Sequence, residues 1–182
     1  MSGLSVISGP TAVGKGTVVR YLLEHFKDLH LSVSATTREP RPGEVDGVDY
    51  FFLTPDEFDL LVETGQMLEH AKVHGQHQYG TPRQPVENAI NAGLQVILEI
   101  DIQGARQVRQ SMPEAKLIFI APPNWDELVA RLQGRGTESA HEQQVRLETA
   151  KVELEAQTEF DHVVINDQVA RCAHEVLELM QA

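Results

Sequence analysis

The sequence contains one cysteine, Cys172, in 182 residues, so no intrachain disulfide can stabilise it and a domain of this length must rest on a packed core. Cys172 lies in a helix-like stretch, Val169 to Leu177, where a buried inert thiol is expected rather than a nucleophile. No apolar run approaches the length of a membrane span. The N-terminus lacks the basic region, long apolar stretch and small-residue cleavage site of an export signal. Positive charge is scarce: 15 Lys and Arg face 27 Asp and Glu, for a formal net charge of −12. That balance argues against the broad basic footprint of a nucleic-acid binder. Internal repeats and low-complexity tracts are absent. What remains is a single soluble domain of a reducing cytoplasm, with no membrane or nucleic-acid partner expected.

Against that background one segment stands out. Gly9-Pro10-Thr11-Ala12-Val13-Gly14-Lys15-Gly16-Thr17 places a glycine-rich turn and a lysine between an apolar run, Leu4 to Ser8, and a helix-period segment, Val18 to Phe26. A strand, a loop and a helix in that order build a phosphate cradle. Gly9 and Gly14 let the backbone bend close to an anion, so that successive N–H groups and the positive end of the helix surround it. Lys15 adds a mobile point charge. Gly16 stands where the strict pattern has a Ser or Thr, and the hydroxyl that would face magnesium comes one residue later, at Thr17.

Apolar, β-branched runs recur at Leu4 to Ser8, Leu31 to Ser34, Val96 to Ile100, Leu117 to Ile120 and Val163 to Ile165. Helix-period segments separate most of them, which predicts a mostly parallel α/β sheet. Thr54-Pro55-Asp56-Glu57 and Asn124-Trp125-Asp126-Glu127 each set a capping side chain three residues before a Glu, and Gly65 and Gly134 are expected to close those helices. Two stretches interrupt the alternation. Residues 34–82 are rich in Gly, Pro, Thr and aromatics and read as an inserted binding flap, with Asp49 to Leu53 as a further strand. Residues 124–146 carry Arg131, Arg135 and Arg146 around Gly134-Arg135-Gly136-Thr137 and read as a hinged helical lid.

Of the 15 basic residues, ten are Arg, which suits bidentate phosphate contacts. Arg38 and Arg41 flank Pro40, and Pro40 and Pro42 keep the segment extended, so that the two guanidinium groups can converge on one anion. Tyr50 and Tyr79 can add neutral hydrogen bonds there. Glu69 and Asp101 are carboxylates placed to read a purine edge, Asp101 at the C-terminal end of the run Val96 to Asp101, where open α/β sheets bind ligands. Guanine offers N–H donors beside an acceptor, and a carboxylate with a hydroxyl is its complement. His70, His74 and His77 have spacings that would suit zinc, but no cysteine or fourth ligand is near.

Taken together, the phosphate loop, Ser32 to Arg41 followed by Pro42-Gly43, Leu68-Glu69-His70-Ala71, Tyr79-Gly80-Thr81, Ile100-Asp101 with Gln103-Gly104-Ala105, Arg135-Gly136-Thr137 and Asn166-Asp167 resemble the guanylate kinases over essentially the whole chain. The resemblance implies a P-loop-NTPase-type parallel sheet flanked by helices, with a core of residues 1–33, 83–123 and 147–182, a GMP-binding region of 34–82 and a lid of 124–146. It also implies transfer of the ATP γ-phosphate to GMP or dGMP, with magnesium as cofactor. By resemblance, Ser34, Glu69, Thr81 and Asp101 hold guanine, and Arg38, Arg41, Tyr50 and Tyr79 hold the GMP phosphate. Gly9 to Thr17 hold the ATP phosphates, Asn166 the adenine, and Arg131 a further ATP contact. Lys15, Arg38, Arg135 and Arg146 act on the transferring group. Two departures stand out: Lys15-Gly16-Thr17 is similar to adenylate kinases rather than to the family's Lys-Ser-Thr, and Glu99 and Ile102 replace an Asp and a larger residue. A different small-molecule kinase and a scaffold domain that binds phosphorylated proteins are the alternatives, the latter at odds with the retained Lys15 and arginines.

Overall fold

In the computed structural model, which describes residues 3–73, 76–134 and 140–182, strand β1 (Leu4–Ser8) is buried along its whole length. Continuous burial requires cover on both faces, the situation of a central strand in a parallel sheet. β1 pairs in parallel with β7 (Gln95–Glu99) on one side and β8 (Lys116–Ala121) on the other. β2 (Leu29–Leu31) and β9 (His162–Ile165) add outside them in the order β2-β7-β1-β8-β9, all parallel. The fold class implied by the sequence is therefore the one present.

Alternation along the strands divides the core. Ile7, Ile97, Ile118 and Ile120 pack with Val19 and Leu22 of α1 (Lys15–His25) and with Cys172 and Val176 of α7 (Val169–Gln181). Leu4, Val6, Val96, Leu98 and Leu117 point the other way, onto Val86 of α3 (Arg83–Asn91) and onto Ala105 and Val108 of α4 (Ile102–Ser111). Cys172 is fully buried, and that burial pushes its thiol pKa up to about 12, so it behaves as a small core hydrophobe.

A second sheet has the order β4-β3-β6-β5, built from β3 (Ala35–Thr36), β4 (Phe51–Phe52), β5 (Met67–Val73) and β6 (His77–Pro82). Here the structure corrects the sequence reading. Leu31 to Ser34 is not one strand: pairing to β7 ends at Leu31, and the Ser32 N–H still reaches Ile97 O (3.0 Å) before the Ser34 carbonyl accepts from Phe51 N–H (2.9 Å). The apolar run is the crossing from one sheet to the other. The β5–β6 hairpin was not expected, because Met67, Leu68 and Glu69 are all buried and hide the alternation that marks a strand. α4 fastens this hairpin to the core: Gln107 Oε1 accepts from His70 N–H (3.0 Å) and Gln107 Nε2 donates to His70 O (2.9 Å).

Helix ends follow the expected chemistry in most details. Thr54 and Glu57 form a complete capping box before α2 (Pro55–Glu63), and Gly65 follows it at φ 69°. Asn124 Oδ1 accepts from Glu127 N–H (2.9 Å) to open α5 (Trp125–Gln133). Gly134 differs. It caps α5 in the right-handed region, at φ −64°, so the helix ends without the left-handed glycine turn. α6 (Ala140–Glu155) then runs into a 3₁₀ turn, Ala156–Glu159. No helix among the described residues is long and apolar enough to cross a membrane.

Candidate active site

The loop between β1 and α1 stands at the C-terminal edge of the parallel sheet, the edge at which open α/β sheets take ligands. Gly14 caps α1 in the left-handed region at φ 96°, and a Cβ there would come within 2.8 Å of Asn166 Nδ2, so both conformation and space require glycine. Behind the loop, Val13 O accepts from Asn166 Nδ2 (2.8 Å) and Arg131 Nη1 (3.1 Å), and Arg131 Nη2 donates to Asn166 O (2.9 Å). Asn166 is buried. It and Arg131 thus clamp the loop from α5 and from the end of β9. Lys15 folds back over the loop, its Nζ donating to Gly9 O (2.7 Å) and Pro10 O (3.1 Å). A cleft of about 310 Å³ opens in front, lined by Thr11, Ala12, Gly14, Lys15, Gly16, Thr17, Arg20 and Glu99.

Glu99 also lines the neighbouring cleft of about 180 Å³, together with Ser34, Tyr50 and Thr81. The two clefts therefore meet at the end of β7. On the floor of the second sheet Glu69 is paired across the hairpin with Thr81, whose hydroxyl donates to Glu69 Oε1 at 2.6 Å. Burial raises the Glu69 pKa and the nearby Asp101 raises it further, against the Thr81 hydrogen bond. Asp101 caps α4, with Oδ1 accepting from Gly104 N–H (2.7 Å). Gly104 lies between the two carboxylates: a Cβ there would stand 3.2 Å from Glu69 Oε2 and 3.4 Å from Asp101 Oδ1. Ser34, Glu69, Thr81 and Asp101 are thus brought to one region by three separate segments.

The arginine pair is held by a residue that sequence reading missed. Glu44 forms a bidentate pair with Arg38, each oxygen 3.0 Å from a guanidinium nitrogen, and Oε2 also accepts from Arg41 N–H (2.7 Å). The Arg38 hydrogen bond, helped by that backbone N–H, holds the Glu44 carboxyl below the usual range. Arg38 lies over the Tyr50 ring at 5.4 Å, and Tyr50 and Tyr79 approach edge to face at 6.1 Å. Arg41 remains exposed. Glu44 could have been sought as the one carboxylate inside the turn after Arg38 and Arg41. Nothing in the sequence signals a second missed residue, Glu153 of α6, whose Oε2 accepts from Thr11 N–H at 2.9 Å across 142 positions. Arg146 lies on the same helix. Arg135, with Gly136 and Thr137, lies outside the described residues, as does His74. No cluster of three or more His, Cys, Asp or Glu side chains suited to a metal occurs among the described residues.

Comparison with known proteins gives the family of the chain. The sequence model described as guanylate kinase matches residues 1–182. The chain is 63% identical to a guanylate kinase of Leifsonia xyli subsp. xyli over 177 residues, covering 97% of this chain and 70% of that protein. It is 56% identical to one of Cutibacterium acnes, over 97% of this chain and 89% of the relative. A crystal structure of guanylate kinase from Anaplasma phagocytophilum superposes with a TM-score of 0.71 at 32% identity, covering 98% of this chain and 84% of that one.

Proposed function

The chain belongs to the guanylate kinase family and transfers the γ-phosphoryl group of ATP to GMP; from that premise we propose what each residue of its clefts does. The carrying observation is that the loop cleft holding Lys15 and a cleft lined by Ser34, Tyr50, Thr81 and Glu99 open side by side at one strand end, with Arg38 over the Tyr50 ring and Glu69 bonded to Thr81. Gly9, Pro10, Thr11, Ala12, Val13, Gly14, Lys15, Gly16 and Thr17 take the ATP phosphates, and Arg131 and Asn166 serve ATP through the loop they clamp. Arg38, Arg41, Tyr50 and Tyr79 take the GMP phosphate. Ser34, Glu69, Thr81 and Asp101 read guanine. Residues 34–82 form the acceptor region, 124–146 the lid, and the remainder the core.

The reaction needs alignment more than proton transfer. A phosphate monoester has its second pKa near 6, so the attacking oxygen of GMP is already largely anionic at neutral pH. That oxygen forms a bond to the γ-phosphorus while the bond to the β,γ-bridging oxygen breaks, giving GDP and ADP. Lys15, released from Gly9 O and Pro10 O, follows the transferring group with Arg38, Arg135 and Arg146, and their charges offset the repulsion between two polyanions. Lid closure excludes water, which would otherwise accept the phosphoryl group. Thr17, exposed in the first turn of α1 on the loop cleft, presents a hard oxygen of the kind magnesium takes. Magnesium, when bound with ATP, adds charge neutralisation at the phosphates.

The discrimination comes from Glu69 and Asp101. AMP in this pocket would deny the buried Glu69 and the exposed Asp101 the donors that guanine brings beyond those of Thr81 and Gly104, and sites built to bond a substrate N–H reject analogues lacking it by about 10⁴. dGMP keeps the guanine edge and is a substrate too. The lone, buried thiol suits a reducing cytoplasm, where the enzyme recycles GMP in purine nucleotide metabolism. An ADP-release assay with ATP, magnesium and GMP, dGMP, AMP, CMP or UMP tests the reading: turnover is expected with GMP and dGMP, and its absence with GMP overturns the assignment.

A further inference from the structure

Among the described glycines, only Gly104 lacks a Cβ that would border both carboxylates assigned to the base. It is buried in the first turn of α4, with its backbone in the helix. A glycine inside a helix costs stability that alanine would not, and Gly104, unlike Gly14, is not left-handed. What glycine supplies at this position is room. A Cβ would stand 3.2 Å from Glu69 Oε2, 3.2 Å from Ile100 Cδ1 and 3.4 Å from Asp101 Oδ1, closer than a methyl group ordinarily sits. Ile100 Cδ1 ends a flexible side chain and can swing aside. Glu69 is buried and tied through Oε1 to the Thr81 hydroxyl at 2.6 Å, so its carboxylate has little freedom to retreat.

A volume flanked by two carboxylates suits a group that offers two hydrogens in diverging directions. Glu69 presents Oε2 to it. Asp101 spends Oδ1 on Gly104 N–H (2.7 Å), which leaves its second oxygen for a ligand. On the guanine edge the ring N1 offers one hydrogen, whereas the exocyclic 2-amino group offers two. That amino group also projects beyond the ring and needs space that a purine without it does not. Hypoxanthine, the base of inosine monophosphate (IMP), has the same ring, 6-oxygen and N1–H but only a hydrogen at carbon 2.

We propose that Gly104 is a specificity residue: the volume left by its absent Cβ, between Glu69 and Asp101, takes the 2-amino group of guanine and so separates GMP from IMP. The inference rests on the guanine reading of Glu69 and Asp101 given above, and names the part of the pocket that reads the 2-position. The carboxylates supply the acceptors, and the glycine supplies the room in which one amino group reaches both. Rejection of AMP is a separate matter, because adenine also differs from guanine at N1 and at carbon 6.

Steady-state kinetics with GMP and IMP, at saturating ATP and magnesium, tests this. The unmodified chain should prefer GMP. Gly104→Ala keeps the N–H that Asp101 accepts and adds one methyl group to the volume. Its GMP over IMP preference in kcat/KM should fall by about tenfold or more, the weight of one methyl-sized misfit in a closed site, through a raised KM for GMP, with IMP losing less. Calorimetric titration of the two nucleotides without ATP should show the same change in relative Kd, which a general loss of fold or rate would not produce. N2-methyl-GMP with the unmodified chain decides the matter if the variant fails to fold. Its extra methyl group meets a volume already filled by the amino nitrogen, and kcat/KM should lie about tenfold or more below that of GMP. Equal losses for GMP and IMP in Gly104→Ala, or an unchanged preference, overturn the proposal, as does turnover of N2-methyl-GMP as efficient as that of GMP. Failure of the unmodified chain to prefer GMP over AMP would instead remove the guanine reading on which the proposal stands.

Discussion

For Glu69, the proposed role in recognition runs against the stability of the fold. It is 8% exposed, with one oxygen taken by the Thr81 hydroxyl and the other against Gly104. Burial, reinforced by Asp101, raises its folded pKa above the unfolded value. The folded state therefore binds the proton more readily, and this group costs stability increasingly as pH climbs from the unfolded value, about 4.3, through the raised folded one. Glu69→Gln should raise the Tm at pH 7 and lose that advantage as pH falls below about 4, where the carboxyl becomes protonated in the unfolded state as well. The same variant should reduce the GMP over AMP preference by about 10–100-fold, the worth of a hydrogen bond to a charged group. Melting curves across pH and kcat/KM for both nucleotides check the two halves; a Tm that falls at pH 7 would refute the first. Glu69, Thr81 and Asp101 were singled out in the sequence by residue type and motif, and the fold sets Thr81 on Glu69 and Asp101 on Gly104 beside it. Glu44 was not, because its meaning lies in two guanidinium contacts and a backbone N–H that exist only once the turn after Arg38 has folded.

At the scale of elements, α6 joins the proposed lid to the phosphate loop. Arg146 and Glu153 are two helical turns apart and so share a face, and Glu153 accepts from Thr11 N–H. The loop hydrogen bond thereby fixes where the helix that carries Arg146 begins its approach to the donor site. Glu153→Ala removes the acceptor, and kcat should drop by about tenfold with the GMP KM unchanged. Glu153→Gln keeps an acceptor oxygen and should retain most of the rate. Steady-state kinetics with both substrates varied separates the cases: equal losses in the two variants would mean that charge, not the hydrogen bond, matters. Elements whose signals are local were legible. Thr54 with Glu57, and Asn124 with Glu127, marked the starts of α2 and α5 because capping is settled within one turn. Leu31 to Ser34 misled, since an apolar run that passes between two sheets looks in sequence like one strand. The β5–β6 hairpin escaped because its first residues are buried on both faces, as in a central strand, and its partner interactions come from α4.

For the whole molecule, a net charge of −12 must coexist with a cleft built to collect anions. Outside the cleft the arginines are matched: Arg106 with Glu159 at 2.6 Å, Arg109 with Asp161 at 2.8 Å and Arg171 with Asp167 at 2.8 Å. Around the loop and the acceptor pocket lie Lys15, Arg20, Arg38 and Arg41, with Arg38 paired to Glu44. These pairings set the pH dependence of folding. Arg106 lowers the Glu159 pKa and Arg171 that of Asp167; for Asp161 burial alone would raise it, but hydrogen bonds from Arg109 and Leu117 N–H outweigh that. A carboxylate with a lowered folded pKa gives stability that is complete above its unfolded value and is lost as pH falls through the folded one. Glu69 and Glu99 act in the opposite sense, since their folded values are raised. The Tm should therefore rise slightly as pH falls from 7 toward about 5, then drop steeply below about pH 4. Changing both Glu69 and Glu99 to Gln should flatten the rise and leave the acid drop in place. Exposed pairs are weakened by screening, so added salt should shrink the acid drop more than the rise. A Tm that falls steadily from pH 7 downward in the unmodified chain would contradict this assignment of the two raised carboxyls.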